Sequence, residues 1–462
     1  MLSQLKKIHF IGIGGIGMSG IAELLHKKGF IISGSDISNN SNIERLRKMN
    51  IQITTEHLEK NITGKDLIVY SDAIPSDNCE LRMANNSGVL CFSRAKMLSE
   101  ISKMSKATIA ISGTHGKTTT TSMIGTVVKN ENLNPTVIVG GVVKSFQTNT
   151  LLGSGDTFIV EADEYNRTFL HLSPSISVIN NIDFEHIDTY KNLDELKEAF
   201  IEFANSTQFH GIVAVCSDSE NAKSIIPKID KTVITFGVKD KSADFRAEKI
   251  LQKNGKVSFD AIFRNNRIKM HLNVPGEHNI LNALAALVVC DFMGLKVDHI
   301  AKSLKEFSGV NRRFDFHRND KELIIIDDYA HHPVEVNFVV DSIKKNWNRR
   351  LITIFQPHLF SRTKQFYKDF ARALYSSDIV LITEIYASRE KIDKSVTSKS
   401  IVDEMKKLAE AGYTNLRFLD ATARRPGDDP SYNYVFFGDD VMPKIVDKKK
   451  EGGLIQKGLG SV

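Results

Sequence analysis

Short apolar runs alternate with longer amphipathic stretches along almost the whole sequence. The first pair is "KIHFIGI" followed by "GMSGIAELLHKKG", and the same order returns at "ATIAISG" followed by a threonine-rich stretch. Apolar runs of strand length that each lead into a helix are typical of parallel sheets built from β-α-β units. The alternation therefore predicts an α/β fold with parallel sheets.

The chain of 462 residues is longer than one hydrophobic core usually supports, so we expect several domains. Changes in the pattern divide it into three α/β domains, which we place at residues 1–105, 106–308 and 309–462. Over 244–274 the pattern changes to hairpin-like strands, and "KNGK" is typical of a tight turn between them. The central domain is thus expected to combine a parallel sheet with a small antiparallel one.

Composition limits the partners and the compartment. Hydrophobic residues make up 41% and charged residues 25%, which is the profile of a soluble globular protein. The formal charge of +6 is modest for this length, so it favours anionic small molecules over nucleic acid. The four cysteines are widely spaced, and the longest apolar run (283–290) is too short to span a bilayer. We predict a cytoplasmic protein without a membrane or nucleic-acid partner.

The first glycine-rich loop follows the first predicted strand and precedes a helix. It reads G-x-G-x-x-G, with Gly12, Gly14 and Gly17 in the motif and Gly15 between them. Glycines at these positions allow close approach of a diphosphate, and the helix start offers free N–H groups. Asp36 ends the next strand, where a ribose-binding acid belongs. Taken alone, the motif is compatible with NAD, and an NAD-dependent oxidoreductase is one alternative.

The second glycine loop, "GTHGKT", lies between a buried strand and a helix and resembles a shortened ATP-binding P-loop. In this context Lys117 and the backbone amides would surround a phosphate, and the Thr118 hydroxyl could ligate Mg²⁺. We predict a nucleotide site over the following residues: Gly113, Thr114, His115, Gly116, Lys117, Thr118 and Thr119. His115 could contact phosphate or only form the turn, and the sequence does not separate these alternatives.

An oxidoreductase explains only the first loop, and a simple ATPase explains only the second. A substrate linked to a nucleotide, with its diphosphate on the first loop and phosphorylated by ATP on the second, explains both. This combination is our preferred hypothesis from the residues.

Further polar residues follow predicted strands or begin helices, where the ligands of an α/β sheet usually bind. Glu161, at the end of "FIVE", is the preferred Mg²⁺ ligand, and His186 follows the next strand in the same way. Asn282 near the start of an apolar helix could read an adenine edge or serve only as a cap. Tyr329, His331 and Arg362, in "DDYAHHPVE" and "FQPHLFSRT", would suit a carboxylate-bearing substrate and its amine partner.

Several of these stretches, taken in order, resemble the Mur ligases of bacterial peptidoglycan synthesis. The resemblance runs from about residue 6 to 392 and includes "GIGGIGMSG", "SGTHGKTTTT", "EADEYNRTFLHL", "NNIDFEHIDTY" and "DDYAHHPVE". The first and last of these point to the branch that adds L-alanine. The resemblance implies a Rossmann-like UDP-binding domain, a P-loop-like ATPase domain and a second Rossmann-like domain for the amino acid.

The resemblance also implies a role for each matching residue. The first loop would hold the diphosphate of UDP-N-acetylmuramate, with Ser71, Ala73 and Ile74 near the uridine. Residues 113–119 would bind ATP, and Asn282 would contact its adenine. The implied Mg²⁺ ligands are Thr118, Glu161 and His186, whereas Tyr329, His331 and Arg362 would contact the acceptor end, L-alanine. Lys117, His186, His331 and Arg362 are the expected catalytic residues, in a monomer or homodimer.

Two departures from the family pattern accompany the match. The helix "LKEAFIEFANST" has no obviously placed lysine of the kind that sister ligases carbamylate, as expected for the alanine-adding branch. Near the C-terminus, "YNYVFFGDDVMPK" stands where the family usually has a strand followed by "GAGD". The remaining alternatives are a ligase that recycles murein tripeptide and a non-catalytic nucleotide-binding regulator.

Overall fold

The structure, a computed structural model, describes residues 5–185, 189–388 and 390–410, and the backbone of 432–437. The chain forms two compact units. The first comprises the described residues up to Glu248, with Phe259–Met270 and Ile280–Phe307. The second comprises Lys249–Ser258, His271–Asn279 and the described residues from Ser308 onward.

The first sheet is entirely parallel, with strand order β3-β2-β1-β4-β5. Its strands are β1 (Lys7–Ile11), β2 (Ile31–Ser35), β3 (Gln52–Thr54), β4 (Leu67–Tyr70) and β5 (Leu90–Ser93). Its helices are α1 (Ile16–Lys27), α2 (Ser41–Lys48), α3 (Cys79–Asn86) and α4 (Arg94–Ser102), and a 3₁₀ turn spans Glu59–Ile62. The strand order reverses between β1 and β4, which is where ligands bind in open α/β sheets.

The second sheet contains ten described strands in the order β15-β14-β13-β12-β11-β10-β6-β9-β7-β8. These are β6 (Ala107–Ser112), β7 (Thr136–Val143), β8 (Thr148–Leu151), β9 (Thr157–Glu161), β10 (Ile176–Ile179), β11 (Ile212–Cys216), β12 (Thr232–Gly237), β13 (Phe245–Lys253), β14 (Lys256–Phe263) and β15 (Asn266–Leu272). Its helices are α5 (Lys117–Asn130), α6 (Leu193–Asn205), α7 (Glu220–Ile225), α8 (Glu277–Phe292) and α9 (Val297–Glu306). Two 3₁₀ segments span Tyr165–His171 and Ile226–Lys228.

The central strands of this sheet are the continuous apolar runs of the sequence. Every residue of β10 and β11 is buried, because helices cover both faces of a parallel sheet. The predicted hairpin strands β13 to β15 continue the same sheet, and β7 and β8 add an antiparallel pair at its other edge. The predicted α/β class is confirmed, with the antiparallel strands joined to the parallel sheet.

The third sheet has the order β16-β17-β20-β18-β19 and belongs to the second unit. Its strands are β16 (Asp315–Asn319), β17 (Ile324–Asp328), β18 (Arg350–Phe355), β19 (Ile379–Ile382) and β20 (Tyr432–Phe437). Its helices are α10 (Pro333–Asn346), α11 (Phe360–Leu374) and α12 (Ser398–Glu410). The strand predicted at "NYVFFGD" is therefore β20, which pairs in parallel with β17 and β18 in the middle of the sheet.

One apolar core runs through the first unit from the first sheet into the second. Phe10 and Leu25 of the first sheet's layers belong to the same buried cluster as Phe158 and Phe200. The predicted boundary near residue 105 therefore does not coincide with a break in the core. The three-domain division stays a prediction.

Other sequence-based expectations concern cysteines and membrane spans. All four cysteines carry free thiols, and Cys216 and Cys290 are buried. Within the described part of the chain, every helix is too short or too polar to cross a bilayer.

Helix α1 lies very close to the β7–β8 hairpin, and Gly20 is the point of contact. A Cβ atom built on Gly20 would lie well inside van der Waals distance of Thr150 Oγ1, which is buried. Next to this point, the Arg45 guanidinium donates to Asn149 Oδ1 over 3.1 Å. The packing of the first sheet's layer on the second therefore requires a residue without a side chain at position 20.

We expect Gly20→Ala to lower the free energy of unfolding by roughly 1–3 kcal/mol, since the added methyl group overpacks this contact. The measurement is urea denaturation of the variant and the native chain. Thr150→Ala removes the opposing atoms, so the double variant should be less destabilised than the two single changes added together. Strict additivity would show that the contact at Gly20 is not the cause.

Candidate active site

The first glycine loop lies at the point where the strand order of the first sheet reverses. Gly12 follows β1, and the segment after β4 approaches it closely. A Cβ atom on Gly12 would lie 3.2 Å from Ser71 Cβ and 3.4 Å from Ile74 Cδ1. Ala73 is held in the same turn, where its N–H donates to Ser71 Oγ over 3.3 Å. The structure thus brings the predicted uridine-side residues against the predicted diphosphate loop.

Asp36 holds the loop in shape. One carboxylate oxygen accepts the Gly14 N–H over 2.7 Å, and the other accepts the backbone N–H and hydroxyl of Ser38 over 2.9 and 2.6 Å. Helix α1 begins after Gly15 with no side-chain cap and no acidic residue in its first turn. A helix start of this kind attracts an anion, because its first N–H groups have no acceptor within the helix. Asp36 therefore has a structural role, and its contact with a ribose stays a prediction.

The buried carboxylate of Glu80 supports the first glycine loop through Ser35. Gly12 donates its backbone N–H to Ser35 O over 2.8 Å, and Ser35 Oγ donates to Glu80 Oε2 over 2.5 Å. His57 Nδ1 lies 2.9 Å from the same oxygen, and Asn61 donates to the other oxygen over 2.5 Å. Burial of Glu80 disfavours its ionised form, yet bonds from His9, Ser35, Asn61 and His57 lower its pKa to about 2.

Glu80 should make stability pH-dependent in acid. Its carboxyl binds a proton near pH 4.5 when unfolded but only near pH 2 when folded, so stability falls as the pH decreases through this window. Between pH 6 and 3.5 we expect a loss of roughly 1.4 kcal/mol from this group. Glu80→Gln should remove that part of the pH dependence in urea titrations, whereas Glu44→Gln on the exposed face of α2 should leave it. An unchanged acid slope in Glu80→Gln would contradict the assignment.

The second glycine loop connects β6 to α5. Gly116 has a φ of 82°, a left-handed conformation that favours glycine, and it precedes a helix start without a side-chain cap. The first helical bond in this turn runs from Thr120 N–H to Gly116 O over 2.9 Å. The N–H groups of the first turn, at Lys117, Thr118 and Thr119, are therefore placed to receive phosphate oxygens.

The segment that follows β10 clamps this loop. The His115 N–H donates to Asn181 Oδ1 over 2.7 Å, and Asn181 Nδ2 donates back to His115 O over 3.1 Å. Thr114 Oγ1 donates to Asp183 O over 3.1 Å and accepts the Asp183 N–H over 2.8 Å. The His115 ring lies 3.5 Å from the Asp183 carboxylate. Thr114 and His115 thus anchor the loop to the neighbouring strand, and any contact with phosphate would come in addition.

Lys117 carries the most strongly paired charge of this loop. Its Nζ lies 3.1 and 2.9 Å from the two carboxylate oxygens of Glu164 and donates to Gly113 O over 2.7 Å. Burial opposes the charge, but Glu164, Asp163 and Glu185 raise the pKa of Lys117 above its ordinary value. The lysine is therefore charged and held inside the loop. The sequence analysis selected Glu161, three residues before Glu164, and gave Glu164 no role.

Breaking this pair should destabilise the chain, because Glu164 is 1% exposed and Lys117 is 16% exposed. We expect Glu164→Gln to reduce the free energy of unfolding by about 3 kcal/mol. Asp156→Asn, which breaks an ion pair whose side chains are 81% and 63% exposed, should cost less than about 1 kcal/mol. Urea denaturation compares the two variants. Glu164→Gln combined with Lys117→Met should cost less than the two single changes added together. An equal loss of stability in Glu164→Gln and Asp156→Asn would refute the pairing.

The predicted Mg²⁺ ligands follow adjacent parallel strands. Thr118 is the second residue of α5, which follows β6 through the glycine loop, and Glu161 is the last residue of β9, which pairs with β6 at Ile111. Glu161 Oε1 accepts the Gly140 N–H over 2.7 Å. A hydroxyl and a carboxylate at one sheet edge beside a phosphate loop fit Mg²⁺, which prefers oxygen ligands and needs few from the protein. His186 lies outside the described residues.

Asn282 lies against the phosphate loop. Its Oδ1 accepts the Thr120 hydroxyl over 3.0 Å, and a Cβ atom on Gly116 would lie 2.7 Å from the same oxygen. Asn282 therefore reaches the second glycine loop from α8. Its proposed contact with adenine stays a prediction.

The acceptor residues cluster at the C-terminal edge of the third sheet. Tyr329 and His331 follow β17, with ring centroids 5.2 Å apart. The His358 ring, after β18, lies 6.0 Å from that of His331, and Arg362 Nη1 lies 3.4 Å from His358 Nδ1. Tyr386 closes the group at 5.5 Å from His358. The structure thus gathers Tyr329, His331 and Arg362 and adds Tyr386, which the sequence analysis did not select.

The two adjacent histidines of "AHHP" have different positions. His331 Nδ1 lies 2.9 Å from Tyr329 O, and since a carbonyl can only accept, this nitrogen carries the hydrogen and Nε2 is the basic nitrogen of the neutral ring. His332 is buried, caps α10 by accepting the Val334 N–H over 3.4 Å, and packs against Phe366. Only His331 is therefore suited to act as a base.

Asp328 holds the backbone beneath this cluster. Its two oxygens accept the N–H groups of Phe314 and Ala330, each over 2.7 Å. Burial raises its pKa to about 6, although Arg313 and these two bonds oppose the shift. The sequence analysis included Asp328 in the stretch "DDYAHHPVE" but gave it no role.

Three sequence models of one enzyme family match almost consecutive parts of the chain. They are the Mur ligase family catalytic domain over residues 7–106, the Mur ligase middle domain over 111–290, and the Mur ligase glutamate ligase domain over 312–424. The chain belongs to the Mur ligase family.

Individual relatives show which members of the family this chain is similar to. The UDP-N-acetylmuramate–L-alanine ligase of Sulfurihydrogenibium sp. (strain YO3AOP1) is 41% identical over 89% of this chain and 89% of its own. The ligase of the same name from Geotalea uraniireducens is 39% identical over 93% of this chain and 94% of its own. The crystal structure of UDP-N-acetylmuramate–alanine ligase from Thermotoga maritima superposes with a TM-score of 0.80 at 30% identity, covering 97% of this chain and 100% of that chain. A murein peptide ligase from Psychrobacter arcticus, with a TM-score of 0.70 and 22% identity, shares the fold over 99% of both chains.

Proposed function

We propose that the chain is an ATP-dependent ligase that joins L-alanine to UDP-N-acetylmuramate in the synthesis of peptidoglycan precursors. One structural observation carries the proposal. Within one compact unit, two helices, α1 and α5, each begin behind a glycine loop without a side-chain cap. Two anion sites of this kind suit a sugar nucleotide and a nucleoside triphosphate. About 40% identity to ligases of this name supports the same substrates.

The reaction must activate a carboxylate, which is a poor acyl donor because its leaving group would be oxide. The lactyl carboxylate of UDP-N-acetylmuramate attacks the γ-phosphorus of ATP, and ADP leaves. The amine of L-alanine then attacks the acyl carbon of the resulting acyl phosphate. The C–N bond forms, inorganic phosphate leaves with the former carboxylate oxygen, and the amine loses a proton.

The first step brings two anions together, so the loop must neutralise charge. Lys117, whose positive charge is stabilised by Glu164, would bind the transferred phosphoryl oxygens. The α5 N–H groups add fixed dipoles at the same place. Thr118, Glu161 and His186 would hold Mg²⁺, which would supply further positive charge when bound. Asn282 would contact the adenine.

The second step needs a neutral amine at a pH where free alanine is mostly protonated. We assign His331 as the residue that accepts the proton, through its Nε2, and Arg362 as the partner of the alanine carboxylate. Tyr329 completes this acceptor site. Residues 1–105, 106–308 and 309–462 would act as the UDP-sugar, ATP and amino-acid domains of a cytoplasmic monomer or homodimer that needs neither nucleic acid nor membrane.

The decisive assay is phosphate release from ATP with each substrate omitted in turn. Release should require UDP-N-acetylmuramate and L-alanine together. Replacing L-alanine by a murein tripeptide tests the recycling ligase as the rival, and a higher rate with the tripeptide would favour that rival. NADH formation or consumption in the same mixtures would instead support an oxidoreductase.

Lys117→Met should reduce phosphate release roughly a hundredfold or more, because no other described side chain of this loop is cationic at the transferred group. Lys129→Met is the matched control: it removes a lysine from the opposite end of α5, where Nζ lies 5.1 Å from the Phe146 ring centroid. Circular dichroism melting shows whether each variant is folded. A folded Lys117→Met variant with native turnover would refute the role given to this loop.

A further inference from the structure

An arginine that the sequence analysis did not select lies beside the first glycine loop. Arg94 is the first residue of α4, directly after β5. A Cβ atom on Gly17 would lie 3.3 Å from Arg94 Nη1 and 3.4 Å from its Cδ. Gly17 is the second residue of α1, so the guanidinium packs against the first turn of the helix whose start faces the loop. The absence of a side chain at position 17 makes this approach possible.

The guanidinium has few partners in the chain itself. It forms one ion pair, with Asp72 Oδ2 at 3.7 Å from Nη2, and no hydrogen bond to any side chain or backbone atom in the described part of the chain. The Arg94 and Asp72 side chains are 25% and 23% exposed, respectively. An ion pair this long and this accessible contributes little to stability. Five donor hydrogens are therefore available next to a helix start that carries no cap.

Asp72 lies on the far side of the guanidinium from Gly17. It lies between Ser71 and Ala73 in the segment after β4, which approaches Gly12 across the reversal of strand order. Arg94 thus spans the crevice from α1 on one side to the β4 segment on the other. The ion pair with Asp72 is too long to be a hydrogen bond, so the N–H groups of the guanidinium stay available in this crevice.

We propose that Arg94 binds the diphosphate of the UDP-sugar, as the cationic member of the first anion site. This inference rests on the proposed function. Backbone N–H groups and a helix dipole provide only partial positive charge, whereas a diphosphate brings at least two negative charges into the crevice. A planar guanidinium donates two parallel hydrogen bonds to phosphate oxygens, which a lysine cannot do. The helix start alone would neutralise only part of the negative charge of the diphosphate. Arg94 supplies a full positive charge at the same place.

The test separates the diphosphate from the rest of the ligand. Arg94→Met should weaken binding of UDP and of UDP-N-acetylmuramate about tenfold or more in calorimetric titrations, through the loss of a charge-assisted hydrogen bond. Binding of uridine, measured by competition, should be unchanged because uridine has no phosphate. In turnover assays KM for UDP-N-acetylmuramate should rise while kcat and the KM for ATP stay within about twofold of native. Arg94→Lys should recover only part of the affinity.

Arg82→Met is the matched control, since Arg82 is an exposed arginine on α3 of the same sheet layer, and it should bind all three ligands as the native chain does. Native UDP affinity in Arg94→Met would overturn the proposal, as would an equal loss of UDP and uridine binding. If the native chain itself releases no phosphate with UDP-N-acetylmuramate and L-alanine, the proposed function fails instead. That outcome is distinguishable because it does not depend on the variant.

Discussion

Backbone N–H groups at two helix starts are the feature on which the candidate site depends. Neither α1 nor α5 has a side-chain cap, and each follows a glycine loop at the C-terminal edge of a parallel sheet. A Ser, Asp or Asn cap would occupy one of these donors and compete with an anion for the helix start. Asp36 illustrates the distinction, because it binds the loop at Gly14 and Ser38 and leaves the helix start uncapped. The chain thus stabilises its loops from the side and keeps the helix starts available for ligands.

Each loop also has a buried carboxylate that fixes its shape. Glu80 acts through Ser35 on the first loop, and Glu164 pairs directly with Lys117 in the second. Hydrogen bonds lower the pKa of Glu80 despite its burial, and Glu164 helps to raise the pKa of Lys117. The loops are consequently held in position before any ligand binds. The free-energy cost of ordering them on binding is therefore smaller.

Local patterns in the sequence predicted the strands, the glycine loops and the clustering of Tyr329, His331 and Arg362, because parallel strands bring their C-terminal ends to one edge. Contacts between distant segments could not be predicted in this way. Glu164 lies in a loop after a strand, and nothing in its local sequence indicates a partner. Its contact with Lys117 is visible only in the folded chain. Arg94 begins an ordinary helix, and only the folded chain shows that its guanidinium lies beside Gly17. The roles of Asp36, Asn282 and Glu161 toward ligands stay predictions.

The division of the chain into units bears on the first chemical step. Both anion sites belong to the same compact unit, whose apolar core is continuous from the first sheet into the second. The contact at Gly20 joins α1 to the β7–β8 hairpin, and the bond from Arg45 to Asn149 joins α2 to it. Since the carboxylate and the phosphoryl donor must meet within bonding distance, tight packing between the layers that carry the two proposed sites would set that distance in advance. A cleft widened by a poor fit at Gly20 would therefore be expected to slow phosphoryl transfer even with both loops intact.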